Sequence, residues 1–261
     1  MKVLYATDMD RTIIYSQRFL DEYKPDTNYE IAETKGDKII SYISTPVKSR
    51  LFQMNKMDNI TIVPVTTRSI EEFERINIGL NVKYAIVSNG GTILEDGKPM
   101  QEWEEYIKSK NCLVDLMQAS LDLTDLESTT RETKFIDNKY LFNKVEDEKL
   151  FDIEISELIN KYPNINFTRQ RKKIYAIPKD FSKAIALRWL QNKLKVDKLV
   201  ASGDSELDLP MLAIADYAII PEHGDLIKNG YVIEGRIADA GINSPMYTMD
   251  IVEDLLKDNK E

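Results

Sequence analysis

The sequence predicts an α/β protein: an open, mainly parallel sheet between helices, with a second and smaller α/β unit inserted into it. Three observations lead there. Short runs rich in Val, Ile and Ala recur and end in polar or glycine-containing sequence, as buried parallel strands do. Helical patterns separate them, which is the alternation of an α/β fold. From about Ile93 to Tyr175 that rhythm breaks.

Five runs read as core strands: Val3 to Thr7, Ile60 to Thr66, Tyr84 to Val87, Lys198 to Ser202 and Tyr217 to Ile220. Thr45-Pro46 reads as an N-cap followed by a proline at the first helical position, opening a helix to about Met57. Ser182 is a candidate cap for a second helix, in which Ala186, Leu187, Leu190 and Leu194 recur at helical spacing. Asp21 to Lys38 is polar and reads as an irregular connection. Within the insertion, Gln101 to Leu123 is a charged helical stretch. A strand-like Lys139 to Val145, a helix from Glu146 to Lys161, and strand-like runs Ile165 to Thr168 and Lys173 to Ile177 follow. The division expected is 1–92 with 176–261 as a discontinuous core, and 93–175 as the inserted domain.

Composition excludes several function classes. With 43% hydrophobic and 30% charged residues the chain has the balance of a soluble globular protein, and no apolar run is long enough for a membrane span. The first apolar run is too brief for a signal peptide. A net charge of −9 opposes general affinity for nucleic acid or anionic membrane. The one cysteine, Cys112, permits no internal disulfide and fits a reducing cytoplasm; it reads as a buried small side chain. The one histidine, His223, reads as a surface-loop residue and leaves acid–base work to carboxylates or lysine. Trp103 and Trp189 read as packing residues. Oligomeric state is not legible.

The chemistry concentrates at expected strand ends and helix starts. Asp8 and Asp10 close the first strand, and two carboxylates this close resist ionising together unless a cation or a shared proton joins them. Thr66-Thr67-Arg68 ends another run, Lys183 begins a helix, and Gly203-Asp204-Ser205-Glu206-Leu207-Asp208 follows a fourth strand. Open parallel sheets place their sites at the carboxyl ends of strands, so these groups can converge. Asp8 and Asp204 are hard oxygen ligands suited to Mg²⁺, Thr66 offers a hydroxyl, and Lys183 a point charge for a phosphoryl oxygen. Each group alone has a plainer reading: a turn cap for the aspartate pair, a solvated helix residue for Lys183, an N-cap for Asp204. Arg169, Arg171, Lys172 and Lys173 form a basic run between two strands, read as a solvated turn, substrate capture or an interface.

In order and spacing, Asp8-Met9-Asp10-Arg11-Thr12, Thr66, Lys183 and Gly203-Asp204 with Asp208 resemble the four motifs of the haloacid dehalogenase-like hydrolases. The insertion resembles the α/β cap of their Cof-type, sugar-phosphatase-like subgroup, and Ser88-Asn89-Gly90-Gly91 resembles an Asn-Gly turn common there. The resemblance implies a three-layer Rossmann-like core with a cap. It implies a Mg²⁺-dependent phosphatase acting on a small phosphorylated metabolite, a sugar or nucleotide-like phosphate. Asp8 would be the nucleophile, forming an aspartyl-phosphate, and Asp10 the acid–base group. The Asp8 side chain, the Asp10 main chain and Asp204 would hold the metal, with Asp208 orienting Lys183 or a metal-bound water. Thr66 and Lys183 would bind the phosphoryl oxygens. Thr67, Asn89, Arg11 and Arg68 are further substrate-binding candidates, the two arginines for a second anionic group. The family usually has glycine where this chain has Arg11, and the subgroup asparagine where it has Leu207. A phosphomutase and a non-catalytic phosphometabolite-binding protein are the alternatives.

Overall fold

The computed structural model describes residues 1–110 and 113–257; Cys112 lies outside the described residues. The first apolar run is β1 (Val3–Thr7), with every residue buried. After α1 (Gln17–Glu22), β2 (Tyr29–Lys35) and β3 (Lys38–Ser44) form an antiparallel hairpin where the sequence suggested an irregular connection. Only Ala32 and Glu33 of β2 are buried, so the strand lacks the apolar alternation that would announce it. Gly36, at φ +58°, supplies its turn.

α2 (Thr45–Met54) starts one residue earlier than its Thr-Pro signal suggested, with Ser44 as N-cap, and ends short of Met57. β4 (Ile60–Pro64), α3 (Ile70–Glu74) and β5 (Tyr84–Val87) follow. Ser69 and Glu72 close a reciprocal capping box at the start of α3. β5 was expected in the parallel sheet, but it touches that sheet through a single parallel bridge, Val65 to Ile86. It pairs instead with the antiparallel β6 (Thr92–Glu95), which pairs in turn with β7 (Lys98–Pro99). The cause is the turn after Val87: Ser88, Asn89 and Gly90 all have positive φ, and the chain doubles back at once. α4 (Gln101–Ser109) buries Trp103 in the core cluster, where the indole donates to the Gly90 carbonyl at 3.1 Å.

The outer unit comprises α5 (Leu113–Asp125), β8 (Lys134–Ile136), β9 (Tyr140–Lys144), α6 (Glu148–Lys161), β10 (Ile165–Gln170) and β11 (Lys173–Pro178). Its strands form an antiparallel sheet in the order β10-β11-β9-β8. Alternation sorts its two faces. Leu141, Ile174 and Ala176 pack with Leu116, Phe151 and Leu158 of the helices, while Phe142 and Tyr175, opposed in register, lie on the other face.

The chain returns through α7 (Lys183–Leu194), β12 (Lys198–Ser202), α8 (Leu209–Ala213), β13 (Tyr217–Pro221), α9 (Asp225–Lys228), β14 (Arg236–Ala238) and α10 (Pro245–Lys257). The core sheet runs β14-β13-β12-β1-β4, parallel throughout. Period-two alternation makes three layers of it. Leu4, Ala6, Leu199 and Ala201 pack with Ala186, Leu187 and Leu190 of α7. Val3, Tyr5 and Val200 pack on the opposite side with Val47 and Leu51 of α2 and Val252 and Leu256 of α10. Truncating one of these leucines to alanine would cost about 2–5 kcal/mol. No helix among the described residues is long and apolar enough to cross a membrane.

Candidate active site

Strand register brings the acidic residues together. Thr7 pairs with Ser202 on one side and with Pro64 on the other, so the next residues of β1, β12 and β4 leave the sheet at one edge. Asp8, held there by its amide on the Ser202 carbonyl at 2.9 Å, faces Asp204 and Asp208. One oxygen from each of the three carboxylates lies within 4.8 Å of the others, and all three residues are buried.

Lys183 joins two of them. Its Nζ donates to Asp8 Oδ1 and to Asp208 Oδ1, each at 2.6 Å, and the side chain is 1% exposed. Ser182 caps the helix beneath it by accepting from the Ile185 amide. Burial opposes the charge on Lys183, yet Asp208 and Asp8 outweigh it and hold the ammonium above the usual lysine range. The helix start disfavours a cation, and these two anions reverse that. Asp208 is committed in full: its Oδ2 accepts from the amides of Asp204 and Ser205 and from the Ser205 hydroxyl.

The three carboxylates are short of positive charge. Burial, and then Asp208, push the Asp8 carboxyl up to about 7 against the pull of Lys183. Burial with Asp208 and Asp8 likewise raises Asp204 well above the usual carboxylate range. Asp204 Oδ2 is buried without a hydrogen bond, though Arg11 Nε stands 3.0 Å away, out of hydrogen-bonding line. A divalent cation fits this combination of hard oxygens, an unbonded buried carboxylate oxygen and excess negative charge. Asp8 and Asp204 are free to hold it, whereas Asp208 is not.

The remaining expected residues fall into two groups. Asp10, Arg11, Thr67 and Arg68 line the same cavity of about 710 Å³ as Asp8, Lys183 and Asp204. Asp10 is half exposed, and both its oxygens accept from Arg68, at 2.7 and 2.8 Å. Thr66 and Asn89 are buried behind that lining. The Asn89 amide donates to the Thr66 carbonyl at 3.0 Å, and the Thr66 hydroxyl accepts from the Arg68 amide at 3.2 Å, so its proton is free to donate. Trp189 packs on the core cluster, as a packing role requires.

His223 is a correction: it is 1% exposed, not on the surface. Its ring sits edge-on to Phe19 and beside Tyr15 and Tyr23, an aromatic nest assembled from α1 that a lone histidine in a Glu-His-Gly loop does not announce. Burial lowers its pKa to about 4, so it is neutral. Glu33 was missed altogether. It is fully buried and accepts from Arg68 at 2.6 Å and from Arg75 at 3.2 Å, anchoring the arginine that clamps Asp10. Its one sequence signal was an acid beside the buried Ala32. The outer sheet's contributions, Tyr140, Phe142 and Tyr175, were also missed, because alternation there cannot be separated from core packing before the facing partner is known.

Residues 104–224 match the family described as haloacid dehalogenase-like hydrolase. No curated protein matches the sequence. Among solved structures the chain is similar to the sucrose-phosphatase of Synechocystis sp., crystallised with sucrose and phosphate, at 14% identity and a TM-score of 0.66, covering 97% of this chain and 98% of that one. It is similar to a haloacid dehalogenase-like hydrolase from B. subtilis at 14% identity and a TM-score of 0.58, covering 96% and 99%. The C-terminal domain of C. albicans trehalose-6-phosphate phosphatase matches at 11% identity and 0.60, covering 97% and 93%. At these identities the likeness establishes a shared fold. The family match itself runs through Lys183, Asp204 and Asp208, which the folded chain closes onto Asp8, and over residues 104–224 the protein is similar to the haloacid dehalogenase-like hydrolases.

Proposed function

We propose that the protein is a Mg²⁺-dependent phosphatase that hydrolyses a small phosphorylated metabolite through an aspartyl-phosphate on Asp8. One observation carries the reading: Asp8 opens on the cavity with Lys183 on Oδ1, while Oδ2 takes no hydrogen bond from the described residues. A carboxylate fixed at one oxygen and free at the other is a positioned nucleophile. The names of two similar structures, a sucrose-phosphatase and a trehalose-6-phosphate phosphatase, favour a sugar phosphate.

In the first step an Asp8 oxygen bonds to phosphorus and the bond to the leaving oxygen breaks, with Asp10 donating its proton to that oxygen. In the second, Asp10 takes a proton from water as that water attacks phosphorus, and the bond to Asp8 breaks to release phosphate. Asp10 can act only after Arg68 has let go of both its oxygens, so substrate entry and release of that clamp belong to one event. Lys183 binds the phosphoryl oxygens, and Asp208 keeps Lys183 aimed. Asp8, the Asp10 main chain and Asp204 would hold Mg²⁺, whose charge offsets that of the transferring group. The four-stranded sheet with α5 and α6 acts as a cap, excluding bulk water and selecting the substrate.

Phosphate release from an aryl phosphate and from sugar and nucleotide phosphates, with and without Mg²⁺, tests the proposal. Release that needs Mg²⁺ and vanishes in Asp8→Asn is expected. No release from any of these would sink the phosphatase reading, and isomerised sugar phosphate in place of phosphate would make the protein a mutase.

A further inference from the structure

The cavity that holds Asp8 is also lined by Lys35, Arg171, Lys172 and Lys173, a basic group in an acidic protein. Alternation divides the run from Arg169 to Lys173. Arg169 turns to the helix side, 3.5 Å from Glu148 and 3.4 Å from Asp152 of α6. Arg171, in the turn between β10 and β11, reaches across to Asp225 with two hydrogen bonds of 2.9 Å. Lys172 and Lys173 line the cavity, as does Lys35 from the hairpin of the core, and none of the three has an acidic partner among the described residues.

The register sharpens this. Lys173 stands directly opposite Lys144 in the β11–β9 pair, on the face that carries Phe142 and Tyr175. Like charges opposed across an antiparallel pair destabilise it, and no strand residue on that face is acidic. Lys173 Nζ lies 5.2 Å from the centroid of the Phe142 ring, so a cation and an aromatic surface are presented together. Every arginine of the lining, by contrast, is held by a carboxylate.

We infer that Lys172, Lys173 and Lys35 form a second anion subsite, so that the substrate is a phosphomonoester bearing a second anionic group, carboxylate or phosphate, beyond a ring or chain resting on Phe142 and Tyr175. The inference deepens the phosphatase reading and rests on it for the placement of the first phosphoryl group at Lys183. The second group is bound and not cleaved, because nothing at the lysine wall resembles the Asp8 nucleophile and its lysine.

Binding of uncleavable phosphonates to the native protein with Mg²⁺ tests it by calorimetry. The probes are benzylphosphonate, 4-carboxybenzylphosphonate and 1,4-xylylenebisphosphonate. A charge-assisted contact predicts that one or both of the two-anion ligands bind about tenfold tighter than benzylphosphonate, and which one does identifies the second group. The ratio should fall to about one in the Lys172→Ala/Lys173→Ala protein and persist in Lys173→Arg. Equal affinities for all three ligands, or a preference that survives the double substitution, would overturn the subsite. Aryl phosphate turnover is scored separately: turnover with equal affinities removes the subsite alone, and an intact preference without turnover removes the phosphatase reading alone.

Discussion

Arg11 and His223 hold each other by two hydrogen bonds: the Arg11 guanidinium donates to the His223 carbonyl at 2.7 Å, and the His223 Nε2–H donates to the Arg11 carbonyl at 2.8 Å. His223 Nδ1 accepts from the Gly241 amide at 3.1 Å, which leaves the ring proton on Nε2 for that bond. The pair gives the Arg11 side chain a fixed place. Arg11 has φ +60°, a left-handed conformation that costs a side-chain-bearing residue about 1–2 kcal/mol. The bonds to His223 offset that strain and fix the guanidinium beside Asp204.

Arg11 would therefore compete with a metal ion for Asp204. A cation 3.0 Å from the buried, unbonded Oδ2 of that carboxylate repels a second cation there. Arg11→Gly, which suits the backbone, should lower the Mg²⁺ concentration for half-maximal thermal stabilisation several-fold. An unchanged or higher value would show that the guanidinium leaves the metal position undisturbed.

His223 sets a pH dependence of stability. Its folded pKa, lowered by burial to about 4, lies below the ordinary value of 6.5. As pH falls from 6.5 towards 4 the unfolded chain takes up the proton first, and stability is lost across that window; above it the contribution is fully present. The loss is at most about 1.4 kcal/mol per pH unit, roughly 3 kcal/mol over the window. Urea unfolding at pH 7 and pH 4.5 should show a smaller fall for His223→Gln than for the native chain. Equal falls would mean that the buried ring is not what titrates.

Lys183→Met leaves Asp8 and Asp208 without their cation in a buried site. Breaking such a pair typically costs about 3–5 kcal/mol. The freed carboxylates can escape part of this by protonating, so the loss should be larger at pH 8 than at pH 5.5. Chemical denaturation at both values checks it, and a loss independent of pH would point to lost packing of the lysine stem instead.

The strands that end at the acidic cluster were legible because each is buried on both faces and so reads as an unbroken apolar run; Lys198–Ser202 agrees to the residue. The four chemical groups were legible because the carboxyl edge of a parallel sheet is where such residues converge. What was hidden depends on tertiary partners. The β2–β3 hairpin is mostly exposed and offers no periodicity, so Glu33, its buried acid, had no context until Arg68 and Arg75 met it. β5 has the composition of a core strand but belongs to another sheet, since composition records burial and not the neighbour that supplies it. His223 is buried by aromatics some 200 positions away, a contact no local pattern encodes.

The Asn89-Gly90 turn carries a last consequence. Gly90 has φ +95°, and a Cβ placed there would lie 2.2 Å from the Ser182 carbonyl oxygen and 2.4 Å from its carbon. Ser182 is the N-cap beneath Lys183, so the collision bears on the residue that holds Asp8. Gly97 shares the positive φ, at +76°, but has nothing within 4 Å of such a Cβ. The two positions separate conformational strain from overlap. Gly97→Ala should cost about 1 kcal/mol, the penalty of the left-handed backbone. Gly90→Ala adds overlap with main chain that cannot rotate away, and should cost at least about 1–3 kcal/mol more. It should also depress turnover per folded molecule, because relief of the clash moves the start of α7 and Lys183 with it. Matched thermal unfolding and kcat measurements on the two variants decide it, and equal stabilities would mean that the α7 start yields without cost.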